Sequence, residues 1–97
     1  MIKHIVMWKL KEENKNQNME EIKARLEALP AFIPQIRKIE VGMDFNRSEF
    51  AFDLALYSEF DTKEDLNIYQ DHPKHKEVAA FVASVKTDRA VVDYELN

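Results

Sequence analysis

A short segment in the last third of the chain carries the residues best suited to proton transfer. It reads Tyr69-Gln-Asp-His72-Pro-Lys-His75. Because a proline disfavours helical backbone at the residue before it, we expect the helix to break at His72 and let Tyr69 and His75 converge. A histidine titrates near neutral pH and can act as a general base, while a tyrosine hydroxyl can donate a hydrogen bond to a developing oxyanion. We therefore predict Tyr69 and His75 as a candidate catalytic pair.

Each residue of this segment also has a purely structural interpretation, which stays open at this point. His72 can cap the helical run that follows it, Tyr69 can be a core aromatic, and His75 can be a solvated helix residue. A metal site built from His72 and His75 with Asp71 and His4 is a further alternative. Its H-x-x-H spacing lacks the glutamate and the four-residue separation of a zinc-protease helix, so we expect no metal.

Two other polar residues interrupt apolar strand patterns. His4 shares a strand face with Val6 and Trp8. A histidine in such a place is more often a hydrogen-bonded core residue than a ligand. Asp53 stands among Ala51 and other apolar neighbours, and we expect it either to be exposed or to pair with a cation inside a cavity.

Composition excludes several classes of protein. The 97 residues carry a formal net charge of −4, no cysteine and a single glycine. They therefore offer no disulfide, no thiolate nucleophile and no glycine-rich phosphate loop, and the acidic balance argues against a nucleic-acid partner. No apolar stretch approaches the ~20 residues of a membrane span, so we expect no membrane association. We find no secretory signal and expect a cytoplasmic protein.

Hydrophobic periodicity predicts the elements that must position these residues. In chain order they are a strand over 2–10, a helix capped at Asn18 and ending near Leu29, a strand over 38–45, a turn over 46–48, a strand over 50–57, a helix that starts at Asp61 and is interrupted at Pro73, and a strand over 90–96. We expect a single domain over residues 1–97.

This order predicts a ferredoxin-like βαββαβ protomer of the α+β class, with a four-stranded antiparallel sheet and both helices on one face. The other face of the sheet must then meet solvent or a partner. We expect the third strand to contribute a row of large apolar side chains to that face: Phe50, Phe52, Leu54 and Leu56. Apolar faces of this size are rare on soluble monomers, and two-fold pairing is the commonest way to bury one. We predict a homodimer packed sheet to sheet.

Three segments of the chain resemble the stress-responsive A/B barrel (Dabb) family. They are the opening His4-Ile-Val-Met-Trp-Lys-Leu, the Tyr69-x-x-His72-Pro-x-His75 motif and the closing Val91-Val-Asp-Tyr94. The resemblance covers essentially the whole chain and implies a dimer whose two sheets close into one α/β barrel. The family includes stress-induced stable proteins and plant polyketide cyclases, and related dimeric barrels include cofactor-free monooxygenases.

The resemblance to the cyclases implies roles for particular residues. It makes His75 the base, Tyr69 the hydrogen-bond donor and His4 the strand-one histidine of a cavity between sheet and helices. The strand-three histidine of the cyclases falls at Phe52 here, a departure that argues against the specific cyclase activity. The residues expected to line the ligand pocket beside the catalytic pair are His4, Trp8, His72 and Phe52.

Two functions follow from these patterns. The first is an enzyme or binder that takes a small, partly aromatic or enolisable molecule and moves a proton through His75 and Tyr69, with no organic cofactor. The second is a non-catalytic dimeric module, a stability or stress protein or a partner-binding domain. An open pocket at the Tyr/His pair favours the first, and a filled interior favours the second.

Overall fold

The computed structural model describes all 97 residues and has a ferredoxin-like fold. Its elements are β1 (Ile2–Leu10), α1 (Lys15–Glu27), a 3₁₀ turn (Leu29–Ala31), β2 (Lys38–Met43), β3 (Leu54–Phe60), α2 (Lys63–Asp71), α3 (Pro73–Val85) and β4 (Lys86–Glu95). The strands form one antiparallel sheet in the order β2-β3-β1-β4. The predicted βαββαβ order is confirmed, with the second helix divided in two at Pro73.

The core lies between one face of the sheet and the helices. On β1 the alternating residues His4, Val6, Trp8 and Leu10 are all buried. The apolar stripe predicted for the first helix and the turn after it is buried throughout: Ile22, Leu26, Leu29, Ile33 and Ile36. Each such aliphatic side chain contributes about 1.5–3 kcal/mol on burial, so this stripe fixes α1 on the sheet.

The first helix begins earlier than predicted. Its N-cap is Asn14, which adopts a left-handed backbone with φ 54°. The amide of Asn18 donates to the Asn14 carbonyl at 2.9 Å, so the predicted cap lies inside the helix. Asparagine tolerates this backbone better than most residues, which lets the turn close there.

None of the helices has the length and hydropathy needed to cross a membrane.

The second helix also starts at a different cap. The Thr62 hydroxyl accepts a hydrogen bond from the Asp65 amide at 3.0 Å. Asp61, the predicted first residue, instead accepts two hydrogen bonds from the Arg37 guanidinium, at 2.8 and 2.6 Å. The charged partner draws Asp61 away from the helix end, and the neighbouring threonine takes over the cap.

The third strand is shifted from the predicted 50–57: it starts later, at Leu54, because Asp53 anchors the residues before it, and it continues to Phe60. Its carboxylate accepts hydrogen bonds from the Leu10 amide at 2.7 Å and the Arg47 guanidinium at 2.8 Å. Burial alone would raise the pKa of Asp53, but these bonds and the Lys15 ammonium outweigh it and hold the pKa below its usual value. Asp53 is thus buried and paired with cations, while Phe50 is left 84% exposed in the loop.

The face assignment of the third strand was wrong. Leu56 pairs with Val6 and shares its face, so Leu54 and Leu56 are buried under the helices. Alternation defines two faces equally well, and only pairing with β1 decides which one meets the core. The opposite side, called here the open sheet face, carries Ile5, Met7, Ala55, Tyr57, Val92 and Tyr94.

Candidate functional site

A cavity of about 280 Å³ lies between the sheet and the helices. Its walls are mostly apolar and come from β1, β3, α1 and α3: Val6, Trp8, Leu56, Leu26, Val78, Ala79 and Val82. Its polar lining comes from β1, from both segments of the second helix and from β4: His4, Tyr69, Gln70, His75, Lys86 and Arg89. An apolar chamber with a few convergent polar groups is the usual form of a small-molecule site.

The break between α2 and α3 brings Tyr69 and His75 together. In a continuous helix, the side chains of residues six apart point about 120° away from each other. Here His72 takes an extended backbone, with φ −66° and ψ 136°, and a new helix starts at Pro73. The two rings then lie 4.4 Å apart between centroids. The predicted convergence of Tyr69 and His75 is therefore present in the structure.

Tyr69 presents a buried hydroxyl that nothing in the chain satisfies. Its ring is fully buried and packs against Phe60 and His4, at centroid distances of 5.0 and 6.1 Å. Its hydroxyl is the single buried side-chain polar atom without a hydrogen-bond partner. Burial raises the pKa of Tyr69, and the charge of Arg89 opposes that rise in part. The hydroxyl therefore stays protonated and remains available as a donor.

His75 is arranged as a neutral base. Its Nδ1 lies 3.2 Å from the Gln70 carbonyl oxygen. Because a carbonyl only accepts, the proton of the neutral ring resides on Nδ1, and Nε2 keeps its lone pair. Burial lowers the pKa of His75; the Gln70 hydrogen bond raises it, and the charges of His4, Arg89 and His72 lower it further. The ring is therefore unprotonated at neutral pH.

His4 is oriented by a carboxylate on the neighbouring strand. It is buried on β1 and faces Asp93 of β4, and its Nδ1 is hydrogen-bonded to the Asp93 carboxylate. Since a carboxylate accepts, Nδ1 carries a proton, and Nε2 makes no hydrogen bond within the chain. The side chain is thus a hydrogen-bonded core histidine that also lines the cavity.

Two residues expected at the pocket lie elsewhere. His72 caps α3, with its Nδ1 accepting from the Lys74 amide at 3.0 Å, because Pro73 makes it the last residue before that helix. Phe52 lies before β3, beneath the Lys9 ammonium at 5.0 Å from the ring centroid, because the Asp53 anchor delays the strand. Of the expected pocket residues, His4 and Trp8 line the cavity.

The histidines do not assemble into a cluster of metal-ligating side chains. No group of three or more histidine, aspartate or glutamate side chains lies close enough to hold an ion. His72 already uses Nδ1 at the helix end, and His4 is held by Asp93. The structure therefore does not bring His72, His75 and Asp71 together as the alternative metal site would require.

Sequence reasoning missed the contribution of the last strand. β4 begins at Lys86, four residues before the predicted start, and its inner face places Arg89, Val91 and Asp93 opposite Trp8, Val6 and His4. The apolar alternation within the predicted strand, Ala90, Val92 and Tyr94, belongs to the outer face. The same alternation continued backwards would have placed Arg89 and Asp93 together on the inner side.

Comparisons with known families and structures agree with this architecture. The model of the Stress responsive A/B Barrel Domain matches residues 2–96. No curated protein sequence matches this chain.

Solved structures give the same fold at three levels of identity. A dimeric protein of unknown function and ferredoxin-like fold from Bacteroides fragilis is 45% identical, with a TM-score of 0.91 over 98% of this chain and 95% of that one. A dimeric ferredoxin-like protein of unknown function from Thermobifida fusca is 28% identical, with a TM-score of 0.87 over 98% and 90%. The hydroxynitrile lyase of Passiflora edulis is 21% identical, with a TM-score of 0.87 over 99% and 93%, and there the likeness concerns the fold alone.

Proposed function

The chain belongs to the stress responsive A/B barrel family, and from that premise we propose that its cavity binds a small, partly aromatic or enolisable molecule and removes a proton from it. The observation that carries the proposal is the Tyr69 hydroxyl, which is buried at the cavity without a partner. An unsatisfied buried hydroxyl costs about 1–3 kcal/mol, and a ligand oxygen would recover that cost.

The reaction uses two groups on the cavity wall. The lone pair on His75 Nε2 takes a proton from an acidic C–H of the ligand, and the electrons of that bond move into the adjacent carbonyl to form an enolate. The Tyr69 hydroxyl donates a hydrogen bond to the new oxyanion, an interaction that contributes about 3–4 kcal/mol in comparable sites. Return of the proton from His75 regenerates the neutral imidazole. No organic cofactor takes part.

We further propose that the working unit is a homodimer packed through the open sheet face. This face carries large apolar side chains that are partly exposed, among them Met7 at 37%, Val92 at 53% and Tyr94 at 40%. The Bacteroides fragilis and Thermobifida fusca structures are described as dimeric. Two sheets packed in this way form the barrel, and each protomer keeps its own cavity on the helix side.

The test is proton exchange on a small aryl ketone. Phenylacetone is incubated with the protein in deuterium oxide, and NMR follows the loss of its benzylic protons. We expect wild-type protein to accelerate the exchange, and His75→Gln and Tyr69→Phe each to reduce it by about a hundredfold or to background. His72→Asn is the matched control, because it changes a histidine outside the cavity and keeps a side chain that can cap α3.

The two functions give different results in this experiment. Exchange that depends on His75 and Tyr69 but not on His72 supports proton abstraction in the cavity. Exchange equal to background in wild-type protein, together with no NMR shift of the cavity residues on adding the ketone, rejects the enzyme and favours the non-catalytic dimeric module.

A further inference from the structure

We infer that the ligand of this cavity carries a carboxylate, which Arg89 and Lys86 recognise at the end of the cavity beside Trp8. The inference rests on the proposed function and specifies its substrate class: a compact aromatic or enolisable carboxylic acid. It is based on the charged side chains of the cavity wall that take no part in the proposed proton transfer.

Arg89 differs from the other arginines of the chain in lacking a carboxylate partner. Arg25 bonds to Glu21 at 3.2 Å, Arg37 to Asp61 at 2.6 Å, and Arg47 to Asp53 at 2.8 Å. Those three guanidinium groups therefore have structural roles. Arg89 makes no side-chain hydrogen bond or ion pair, although it lines an apolar cavity. Its planar group remains free to bind a carboxylate in bidentate fashion.

Lys86 adds a second positive charge at the same end of the cavity. It pairs with Leu10 across the sheet, two β1 positions from the pairing of Arg89 with Trp8, and it too makes no ion pair. No acidic residue lines the cavity to neutralise the two cations. The whole chain has a net charge of −4, so this positive end is a local feature and not part of a generally basic surface. Arg89 is exposed and Lys86 is half-buried, so the two cations stand where the cavity meets solvent.

The cavity therefore has two chemically distinct ends. Arg89 and Lys86 lie at the Trp8 end, while the His4 end lies opposite Asp93, four residues further along β4 than Arg89. That separation is about 13 Å along the backbone, which a long arginine side chain and one aromatic ring can span together. A ligand with a carboxylate at one end and a phenol or enolisable group at the other fits both.

The test compares two probes of nearly the same shape, 4-hydroxybenzoate and 4-hydroxybenzamide, by isothermal titration calorimetry on the full-length protein. We expect the carboxylate to bind at least about tenfold more tightly than the amide, as a charge-assisted hydrogen bond would give. Its affinity should also fall as salt is added, whereas that of the neutral amide should not. Arg89→Gln should bring the two probes to equal affinity, and Arg89→Lys should restore part of the difference. Arg37→Gln is the matched control, since it removes the same charge far from the cavity.

The outcomes separate this inference from the proposed function. Equal binding of both probes by wild-type protein, weakened by Tyr69→Phe, overturns the carboxylate assignment and leaves the Tyr/His pocket supported. A carboxylate preference abolished by Arg89→Gln but unchanged in Arg37→Gln supports the inference, and if Tyr69→Phe then has no effect, the proposed function fails alone. Binding of neither probe counts against both.

Discussion

At the scale of single residues, the site combines one group that the fold leaves unsatisfied with one that it keeps neutral. The Tyr69 hydroxyl is buried without a partner. His75 is kept unprotonated by its burial and is oriented by the Gln70 carbonyl. Both conditions cost folding free energy, and both are what a proton-transfer site needs.

Removing the Tyr69 hydroxyl should therefore stabilise the protein while impairing the site. We expect Tyr69→Phe to raise the free energy of unfolding by about 1 kcal/mol, because the ring keeps its packing and the unsatisfied group is gone. Urea denaturation measures this change. Tyr57→Phe is the matched control: its hydroxyl donates to Glu59 at 2.6 Å, so its loss should destabilise. A clear loss of stability in Tyr69→Phe would show that the hydroxyl has a partner after all.

The lowered pKa of His75 predicts how stability depends on pH. An unfolded histidine titrates near pH 6.5, and burial places the folded value lower. Between these two values the unfolded chain binds more protons, so the contribution of His75 is complete above about pH 6.5 and declines as the solution is acidified. Urea midpoints at pH 7.5 and 5.5 measure the decline, which should be smaller in His75→Gln. An equal decline in both proteins would contradict the shift.

At the scale of elements, the important device is the interruption of the second helix. His72 ends α2, caps α3 and sets the angle at which His75 meets Tyr69. The proline that follows removes an amide donor at a position where a helix needs none. His72, which was expected to line the ligand pocket, thus acts through the backbone by positioning His75.

Loss of the His72 cap should lower the stability of the fold more than it lowers the rate of proton exchange. We expect His72→Ala to lower the free energy of unfolding by about 1 kcal/mol, because the Lys74 amide loses its acceptor. Chemical denaturation measures the loss, and His72→Ser, which can accept the same hydrogen bond, should recover most of it. If alanine and serine are equally destabilising, the imidazole has a role other than capping.

At the scale of the whole molecule, each protomer has two working surfaces on opposite sides of one sheet. The helix side encloses the cavity, and the open sheet face is the proposed dimer interface. Because the side chains of a strand alternate, neighbouring residues serve different purposes: Val91 pairs with Val6 on the inner side, and Val92 pairs with Ile5 on the outer side.

A charge on the open sheet face should separate the protomers. We expect Val92→Glu to convert the dimer to monomer, since an unpaired carboxylate buried at an interface costs several kcal/mol. Analytical ultracentrifugation measures the mass. Ile68→Glu is the control, because Ile68 has comparable exposure, at 39%, but lies on α2 away from this face. A dimeric Val92→Glu variant would place the interface elsewhere.

Much of this architecture could be predicted from local patterns. Periodicity identified every strand and helix, and the proline at position 73 predicted the break that brings Tyr69 and His75 together. These features depend on neighbours along the chain, namely alternation, helical spacing and the backbone restriction that proline imposes. The same information led to the family, which the match over residues 2–96 confirmed.

The order of the elements and the closeness of Tyr69 to His75 could both be predicted from the chain alone, because both follow from short-range spacing. Which face of each strand meets the helices depended on long-range strand pairing, since alternation is symmetric and pairing with β1 breaks that symmetry. That choice buried Leu54 and Leu56, excluded Phe52 from the cavity and brought Asp93 to His4 and Arg89 to the cavity wall. Asp93 is 89 residues from His4 along the chain, so no local pattern could have joined them.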